Sequence, residues 1–249
     1  MVNILVTNDD GVHAPGILAL AEAMRELGSV EIAAPATNQS TSGHKKTLFS
    51  DIRYAETQLV NGMSALAVHG SPADCIAVAA MGLRTWAPDL VVSGINRGEN
   101  LGQDVTYSGT VTAALEATIN GAPALAVSLA QRDADDPADY RHAASIALTI
   151  ARHMLVHPLP PLTILNLNVP KGEAKGVRLT RQGVRIYKDA LERGDGFVRI
   201  VGDPPTGLVE ELGTDIWAIH QGYASLTPIH LDMSAHHLLA DLSAWDIRL

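Results

Sequence analysis

Apolar residues in the first two thirds of the chain follow two patterns, short continuous runs and a repeat of three to four residues. Continuous runs at residues 4–6 and 90–92 are typical of strands buried in a parallel sheet, whereas Ile17, Leu20 and Met24 recur at helical spacing. The two patterns alternate at the intervals of βαβ units. They predict an α/β fold with a mainly parallel sheet flanked by helices.

Prolines and glycines predict where several elements begin and end. Pro15 indicates the start of the first helix and Gly28 its end, and Asn61-Gly62 is a strong signal for a hairpin turn. Further helices are predicted over 109–120, before Gly121, and over 137–157, before a run of prolines. Between residues 94 and 108, after a strand at 89–93, we expect a long loop rich in Gly and Asn.

The pattern weakens from about Lys171 into short alternating runs with many glycines and charged residues, which are typical of hairpins. A short helix at 215–221 and a strand at 223–227 follow. Ser234 is expected to cap a terminal amphipathic helix, with Leu238, Leu242 and Trp245 on one stripe. We therefore predict an α/β body over 1–170, with β-hairpin arms and a terminal helix over 171–249.

Charge and composition exclude several classes of partner. The 249 residues carry 27 acidic and 18 basic side chains, a net charge of -9, and the basic ones are scattered, so we expect no binding to a nucleic-acid duplex. Apolar stretches are too short to cross a membrane, and we expect no secretory leader before Val2. Cys75 is the single cysteine and is expected to pack in the core. We expect a cytoplasmic protein without a membrane partner.

Two adjacent carboxylates, Asp9 and Asp10, follow the first strand. In an open α/β sheet this edge holds the ligand, and phosphate ligands there usually meet glycines and main-chain N–H groups. Two negative charges would repel a phosphate, so a divalent cation between them is the simplest reconciliation. Asn8 could orient one of the carboxylates. The alternative to a cation site is a purely structural role in a turn or helix cap, which needs only one Asp.

Loops after other strands add polar groups to the same edge. Ser40 offers a hydroxyl after the second strand, and Asn96 and Asn100 offer amides after the strand at 89–93. Ser108-Gly109-Thr110 begins a helix whose free N–H groups suit a phosphate. For His13 and His44, a role near the site and a plain surface position remain open.

Ordered blocks of the sequence resemble the survival protein E (SurE) family of metal-dependent nucleotidases over nearly the whole chain. The blocks are residues 4–16 (ILVTNDDGVHAPG), 38–40 (NQS), 70–75 (GSPADC), 93–102 (SGINRGENLG), 107–111 (YSGTV) and 222–228 (GYASLTP). The resemblance implies a Rossmann-like α/β body with hairpin arms. It also implies a homodimer or homotetramer assembled by exchange of C-terminal elements.

The resemblance further implies hydrolysis of nucleoside 5′- or 3′-monophosphates to nucleoside and phosphate, and possible activity on short polyphosphates. It places the ligands of a divalent cation, Mg²⁺ or Mn²⁺, on four residues: Asp9, Asp10, Ser40 and Asn96. It places contacts with the substrate and its phosphate on a second set: Asn8, Asn100, Ser108, Gly109 and Thr110. One departure lies in the arms, where the family's Asp-Pro-Arg-Gly segment and following aromatics are reduced to residues 194–199 (GDGFVR).

The predicted mechanism is in-line attack of a metal-bound water on the phosphate monoester, with the helix start at Ser108 stabilising the transition state. Asp9 and Asp10 are the predicted catalytic residues, and the sequence leaves open whether Asp9 is a general base or a ligand only. Two alternatives stay open: a phosphatase that forms an aspartyl phosphate, and a sensor that binds a nucleotide without hydrolysing it.

Overall fold

The computed structural model describes residues 2–202 and 205–245. Its strands are β1 (Val2–Thr7), β2 (Gly28–Pro35), β3 (Tyr54–Gln58), β4 (Ser64–Val68), β5 (Leu90–Arg97), β6 (Ala124–Ala130), β7 (Thr163–Pro170), β8 (Val177–Leu179), β9 (Arg185–Ile186), β10 (Asp189–Gly194), β11 (Phe197–Gly202), β12 (Thr206–Gly207) and β13 (Ala224–His230). The α-helices are α1 (Pro15–Met24), α2 (Pro72–Val78), α3 (Gly109–Ile119), α4 (Arg141–Val156), α5 (Asp215–His220) and α6 (Leu239–Ser243).

Nine strands form one sheet in the order β3-β4-β2-β1-β5-β6-β7-β13-β8. The six strands from β4 to β7 are parallel, while β3 and β13 run antiparallel to their neighbours β4 and β7. From β1 the chain continues to β2 and β4 on one side, and from β5 to β6 and β7 on the other. The order therefore reverses between β1 and β5, which is where open α/β sheets bind ligands. The predicted fold class is confirmed.

Helices cover both faces of this sheet, and each face has its own apolar core. α1 and α4 pack on one face, around Leu20 and Met24, and α2 and α3 pack on the other, around Cys75 and Val111. Cys75 is fully buried, so its predicted place in the core is confirmed. The Ala-rich helix faces let the helices lie close to the strands that carry the site.

Contacts between distant residues move several element boundaries from their predicted places. α1 ends at Met24, and Gly28 is instead the first residue of β2, where an added Cβ would lie 2.0 Å from the carbonyl oxygen of Val2. β5 runs on to Arg97, so the predicted loop from Gly94 is shorter and contains a 3₁₀ turn at Gly102–Thr106. The predicted hairpin turn at Asn61-Gly62 is confirmed between β3 and β4.

The C-terminal third is divided between the sheet and the arms. β13 and β8 extend the main sheet beyond β7, while β10 and β11 form a separate hairpin that turns at Asp195-Gly196. The predicted helix at 215–221 is confirmed as α5.

The terminal helix is shorter than predicted, because a 3₁₀ turn at His236–Leu238 precedes α6. Neither segment has a side-chain cap, so the cap predicted at Ser234 is wrong. Leu238, Leu242 and Trp245 are all partly or largely exposed. Within the described residues, no helix is long and apolar enough to cross a membrane.

Candidate active site

Asp9 and Asp10 lie just beyond β1, at the edge where the strand order reverses. Asp9 is 3 % exposed, and its Oδ1 accepts a hydrogen bond from the hydroxyl of Thr110 at 2.5 Å. Asp10 is half-buried; its Oδ2 accepts from the main-chain N–H of Arg97 at 2.9 Å and its Oδ1 from Nδ2 of Asn38 at 3.3 Å. Asp9 is thus fixed by the first turn of α3, and Asp10 by the end of β5 and the loop after β2.

The turn that carries this pair is closed by Asn8. Its Nδ2 donates to the carbonyl oxygen of Gly11 at 2.9 Å, and its Oδ1 accepts from the N–H of Gly11 at 3.3 Å. Gly11 has a φ of 109°, which favours glycine. Asn8 is fully buried and its side chain pairs with Gly11 in its own turn, so its predicted contact with the substrate stays a prediction.

Burial makes the negative charge of Asp9 unfavourable. Burial raises the pKa of Asp9 to about 6, the nearby charge of Asp10 adds to this rise, and the hydrogen bond from Thr110 opposes it. Burial also raises the pKa of Asp10, against the opposing effect of the N–H of Arg97. A cation beside these groups would stabilise their charged forms.

The N-terminus of α3 reaches the same place. Ser108 caps the helix, since its Oγ accepts from the N–H of Val111 at 3.1 Å. A Cβ on Gly109 would lie 2.8 Å from Cβ of Asp9 and 3.0 Å from its Oδ2. Only glycine therefore lets the first turn of α3 approach the carboxylate this closely, and the positive end of the helix faces the cleft.

A cleft of about 550 Å³ opens over these groups. The predicted residues that line it are Asp9, Ser40, Asn96, Asn100 and Ser108. Asp10 borders a smaller neighbouring cavity of about 290 Å³, with Asn38 and Arg97. Nδ2 of Asn96 donates to the carbonyl oxygen of Gly98 at 2.8 Å, so its Oδ1 is the atom able to bind a cation.

A larger cavity of about 720 Å³ lies between β2 and β4, away from this edge. Three of its charged side chains pair with one another: Arg84 binds Glu56 at 2.8 Å and lies 3.9 Å from Glu31. The cleft over Asp9 is the candidate site, because three of the four predicted ligands, Asp9, Ser40 and Asn96, line it together with the cap of α3, Ser108.

Comparison with known proteins decides the family. The sequence profile described as "Survival protein SurE" matches residues 4–189. The chain belongs to the SurE family. A "5′-nucleotidase SurE" from Syntrophotalea carbinolica is 46% identical over 98% of this chain and 97% of its own length, and one from Geobacter sulfurreducens is 46% identical over 99% and 94%. The crystal structure of the SurE protein from Aquifex aeolicus superimposes with a TM-score of 0.84 and 37% identity, covering 97% of this chain and 98% of that one.

SurE nucleotidases depend on a divalent metal. Among the residues that the structure describes, no three His, Cys, Asp or Glu side chains cluster as a cation site. The predicted set instead combines two carboxylates, Asp9 and Asp10, with a hydroxyl and an amide, and all of these donors are oxygens. Such donors fit a hard cation such as Mg²⁺ or Mn²⁺.

The loop that carries Ser40 in this SurE-family chain is held against α3 by a buried carboxylate. Glu116 binds Nζ of Lys46 at 2.7 Å and Nε2 of His44 at 3.0 Å. Burial alone would raise the pKa of Glu116, but the hydrogen bonds from His44 and Lys46 outweigh it and lower the pKa. His44 therefore supports the loop from outside the cleft, and His13 is exposed.

Local spacing does not predict which residues of the C-terminal third bind the loop at 99–104. Arg185 of β9 is nearly buried and binds Glu99 at 2.8 Å and Asp104 at 2.7 Å, while the hydroxyl of Tyr187 donates to Asp104. Asp215 accepts from the N–H groups of Gly102 and Gly183, each at 2.8 Å. Four of these five contacts join residues more than 80 positions apart, and only the contact between Asp215 and Gly183 spans fewer. Local spacing therefore carries no signal of them.

Proposed function

We propose that this chain hydrolyses nucleoside 5′-monophosphates to nucleoside and phosphate at the cleft over Asp9. The observation that carries the proposal is that two features of opposite charge lie close together at Gly109. They are the buried carboxylate of Asp9 and the positive N-terminus of α3. The first suits a cation and the second suits a phosphate. The relatives described as 5′-nucleotidases, similar over nearly their full length, support the same assignment.

In this proposal Asp9, Asp10, Ser40 and Asn96 hold Mg²⁺ or Mn²⁺. A divalent cation in such a site polarises the phosphate and lowers the pKa of a bound water. Thr110 holds Asp9 in place through its hydroxyl, and Asn38 and the N–H of Arg97 do the same for Asp10. The two carboxylates therefore keep their arrangement without needing the substrate to order them.

The phosphate would lie against the first turn of α3. The N–H of Val111 is already capped by Ser108 and the N–H of Thr110 is directed at Asp9, which leaves the N–H of Gly109 to meet a phosphate oxygen. It is oriented before the substrate arrives, so it would stabilise the charge that spreads over the phosphate oxygens in the transition state without reorganising. Asn100 borders the cleft, and the N–H of its Nδ2 that does not bind Ser128 can donate to the same ligand.

The proposal extends to nucleoside 3′-monophosphates and short polyphosphates, which share the terminal phosphate that the site would bind. It also extends to assembly as a homodimer or homotetramer and to a cytoplasmic location. Exposed apolar side chains on the β10–β11 hairpin, on α6 and just after it, among them Ile200, Leu239 and Trp245, support assembly.

A phosphate-release assay tests the function. The purified chain is incubated with a panel of 5′- and 3′-monophosphates and tripolyphosphate, with Mg²⁺, with Mn²⁺, and with chelator. We expect release from 5′-monophosphates that needs the metal and that Asp10→Asn reduces at least tenfold. Tight nucleotide binding without release would indicate a sensor instead, and phosphate trapped covalently on Asp9 or Asp10 would indicate an aspartyl-phosphate mechanism.

A further inference from the structure

Two asparagines lie in the interior of the sheet, where parallel strands normally carry apolar residues. β7 has β6 on one side and β13 on the other, and Asn166 and Asn168 are both fully buried. They stand two positions apart and so share one face of the sheet with Ile164. A buried amide costs free energy unless its polar atoms are paired, so the partners of these two side chains identify their role.

Both polar atoms of the Asn168 side chain bind the main chain of one residue, Asn100. Oδ1 of Asn168 accepts from the N–H of Asn100 at 2.7 Å, and Nδ2 donates to the carbonyl oxygen of Asn100 at 3.1 Å. Nδ2 of Asn166 donates to the same carbonyl at 2.9 Å. The main chain of Asn100 is therefore held at its donor and its acceptor, as a neighbouring strand would hold it.

This pairing fixes a segment of the cleft. Asn100 lies on the cleft wall together with Asp9, Asn96 and Ser108. Its own Nδ2 donates to Oγ of Ser128 at 2.8 Å, which also fixes the rotation of its side chain. Asn168 itself is not part of the wall, so any effect of Asn168 on the reaction passes through Asn100.

We propose that Asn168 is a positioning residue for the hydrolysis, which holds the loop at 98–101 so that Asn100 meets the phosphate of the substrate. Asn166 supports it through the shared carbonyl. The inference rests on the proposed function and adds to it the residues that give one wall of the cleft its shape.

An isosteric substitution, Asn168→Asp, separates this role from simple packing. When the introduced carboxyl is protonated, its O–H can donate to the carbonyl of Asn100 and its other oxygen can accept from the N–H, as the amide does. When it is ionised, it faces that carbonyl with a negative charge and cannot donate. The register neighbours on β6 and β13 are Ser128 and Ser225, which carry no ionisable group. Burial raises the pKa of the introduced carboxyl above that of an exposed Asp, towards the pH range of the assay.

The measurement is kcat and KM for a nucleoside 5′-monophosphate from pH 5 to pH 8, as a ratio of variant to wild type at each pH. Loss of a buried hydrogen bond costs about 1–3 kcal/mol, so we expect kcat/KM of Asn168→Asp to be about tenfold to a hundredfold below wild type at pH 8 and to recover towards pH 5. Asn168→Leu should be impaired at every pH. Ser225→Ala is the control, because its buried Oγ has no hydrogen-bond partner in the described structure, and its ratio should stay flat.

Two further readouts keep the outcomes distinct. Denaturant unfolding at each pH gives the folded fraction, and a loss of turnover that follows this fraction alone would overturn the positioning role. Calorimetric binding of inorganic phosphate should weaken at pH 8 in Asn168→Asp and not in Ser225→Ala. If the wild type hydrolysed no monophosphate, the proposed function would fail by itself, while unchanged phosphate binding in Asn168→Asp would overturn the positioning role in either case.

Discussion

Replacing Asp9 by Asn should abolish hydrolysis and, at the same time, make the metal-free protein more stable. Asp9 is almost completely buried, and burial raises its pKa to about 6. At neutral pH the folded protein therefore holds a carboxylate that would be better solvated in the unfolded chain. Asn has the same shape, carries no charge, and keeps an oxygen that can accept the hydroxyl of Thr110.

The size of this effect follows from the pKa. A rise of roughly two units above the ordinary value of 3.8 corresponds to about 3 kcal/mol. Because the folded protein holds the proton more tightly, this pKa shift favours folding at low pH, and the benefit is lost as pH rises from about 4 to about 6. Relative to wild type, Asp9→Asn should gain about 3 kcal/mol at pH 8, roughly half of that at pH 5, and close to nothing below pH 4.

Urea unfolding in the presence of chelator measures the difference, at pH 8 and at pH 5. Mg²⁺ or Mn²⁺ should then stabilise the wild type and leave Asp9→Asn unchanged, because only the wild type keeps the full ligand set. Asp195→Asn makes the same chemical change on the exposed tip of the β10–β11 hairpin and should leave stability unaltered. A variant no more stable than wild type at pH 8, or an excess that does not shrink by pH 5, would refute the reasoning.

Three other substitutions test the supports of the site. Gly109→Ala should destabilise the protein by about 1–3 kcal/mol through its clash with Asp9, and lower kcat at least tenfold, measured by unfolding and phosphate release. Asp215→Asn should cost about 1–3 kcal/mol and speed proteolysis of the arms, because an amide NH₂ must then face a main-chain N–H. Glu116→Gln should weaken metal binding severalfold in calorimetry, since Lys46 and His44 of the Ser40 loop lose the carboxylate that binds them both.

Each of these predictions has its own contradicting result. Normal turnover in Gly109→Ala would mean that α3 can shift without disturbing Asp9. Unchanged proteolysis in Asp215→Asn would mean that the arms are held by other contacts. Wild-type metal affinity in Glu116→Gln would show that the Ser40 loop needs no anchor on α3, and Glu192→Gln, an exposed ion-pair residue on β10, is the matched control for the loss of one charge.

The fold could be predicted because burial produces the apolar patterns of both strands and helices. The errors concern element boundaries that depend on contacts between residues distant in sequence. Gly28 was expected to end a helix, yet it starts β2 because that residue lies against Val2. Strand β5 was expected to end at residue 93, but after a shift in register its pairing with β6 resumes at Asn96. A Gly- and Asn-rich segment gives no periodic signal of that pairing.

The same distinction separates the site residues that could be predicted from those that could not. Asp9, Ser40, Asn96 and Ser108 could be predicted together, because the carboxyl ends of neighbouring parallel strands meet at one edge. Asn168 could not, because its partner Asn100 is 68 positions away and a buried asparagine has no distinctive spacing. One signal was available: the alternation of Asn166 and Asn168 in a strand otherwise apolar indicates two amides that need a buried partner.

The loop between β5 and α3 is the element on which these separate supports converge. β7 holds its main chain at Asn100, Arg185 of the arm binds Glu99, and Asp215, just before the last strand, binds the N–H of Gly102. The loop thus faces the cleft on one side and is anchored on the other by the C-terminal third of the chain. A change in the arms would therefore reach the cleft through Glu99 and Gly102, or directly through arm residues that line it such as Tyr187 and Ile200. Asp9 and its turn would keep their own contacts. We expect arm substitutions to change KM for the nucleotide more than they change metal affinity. Steady-state kinetics measures the first effect, and calorimetry with the metal alone measures the second.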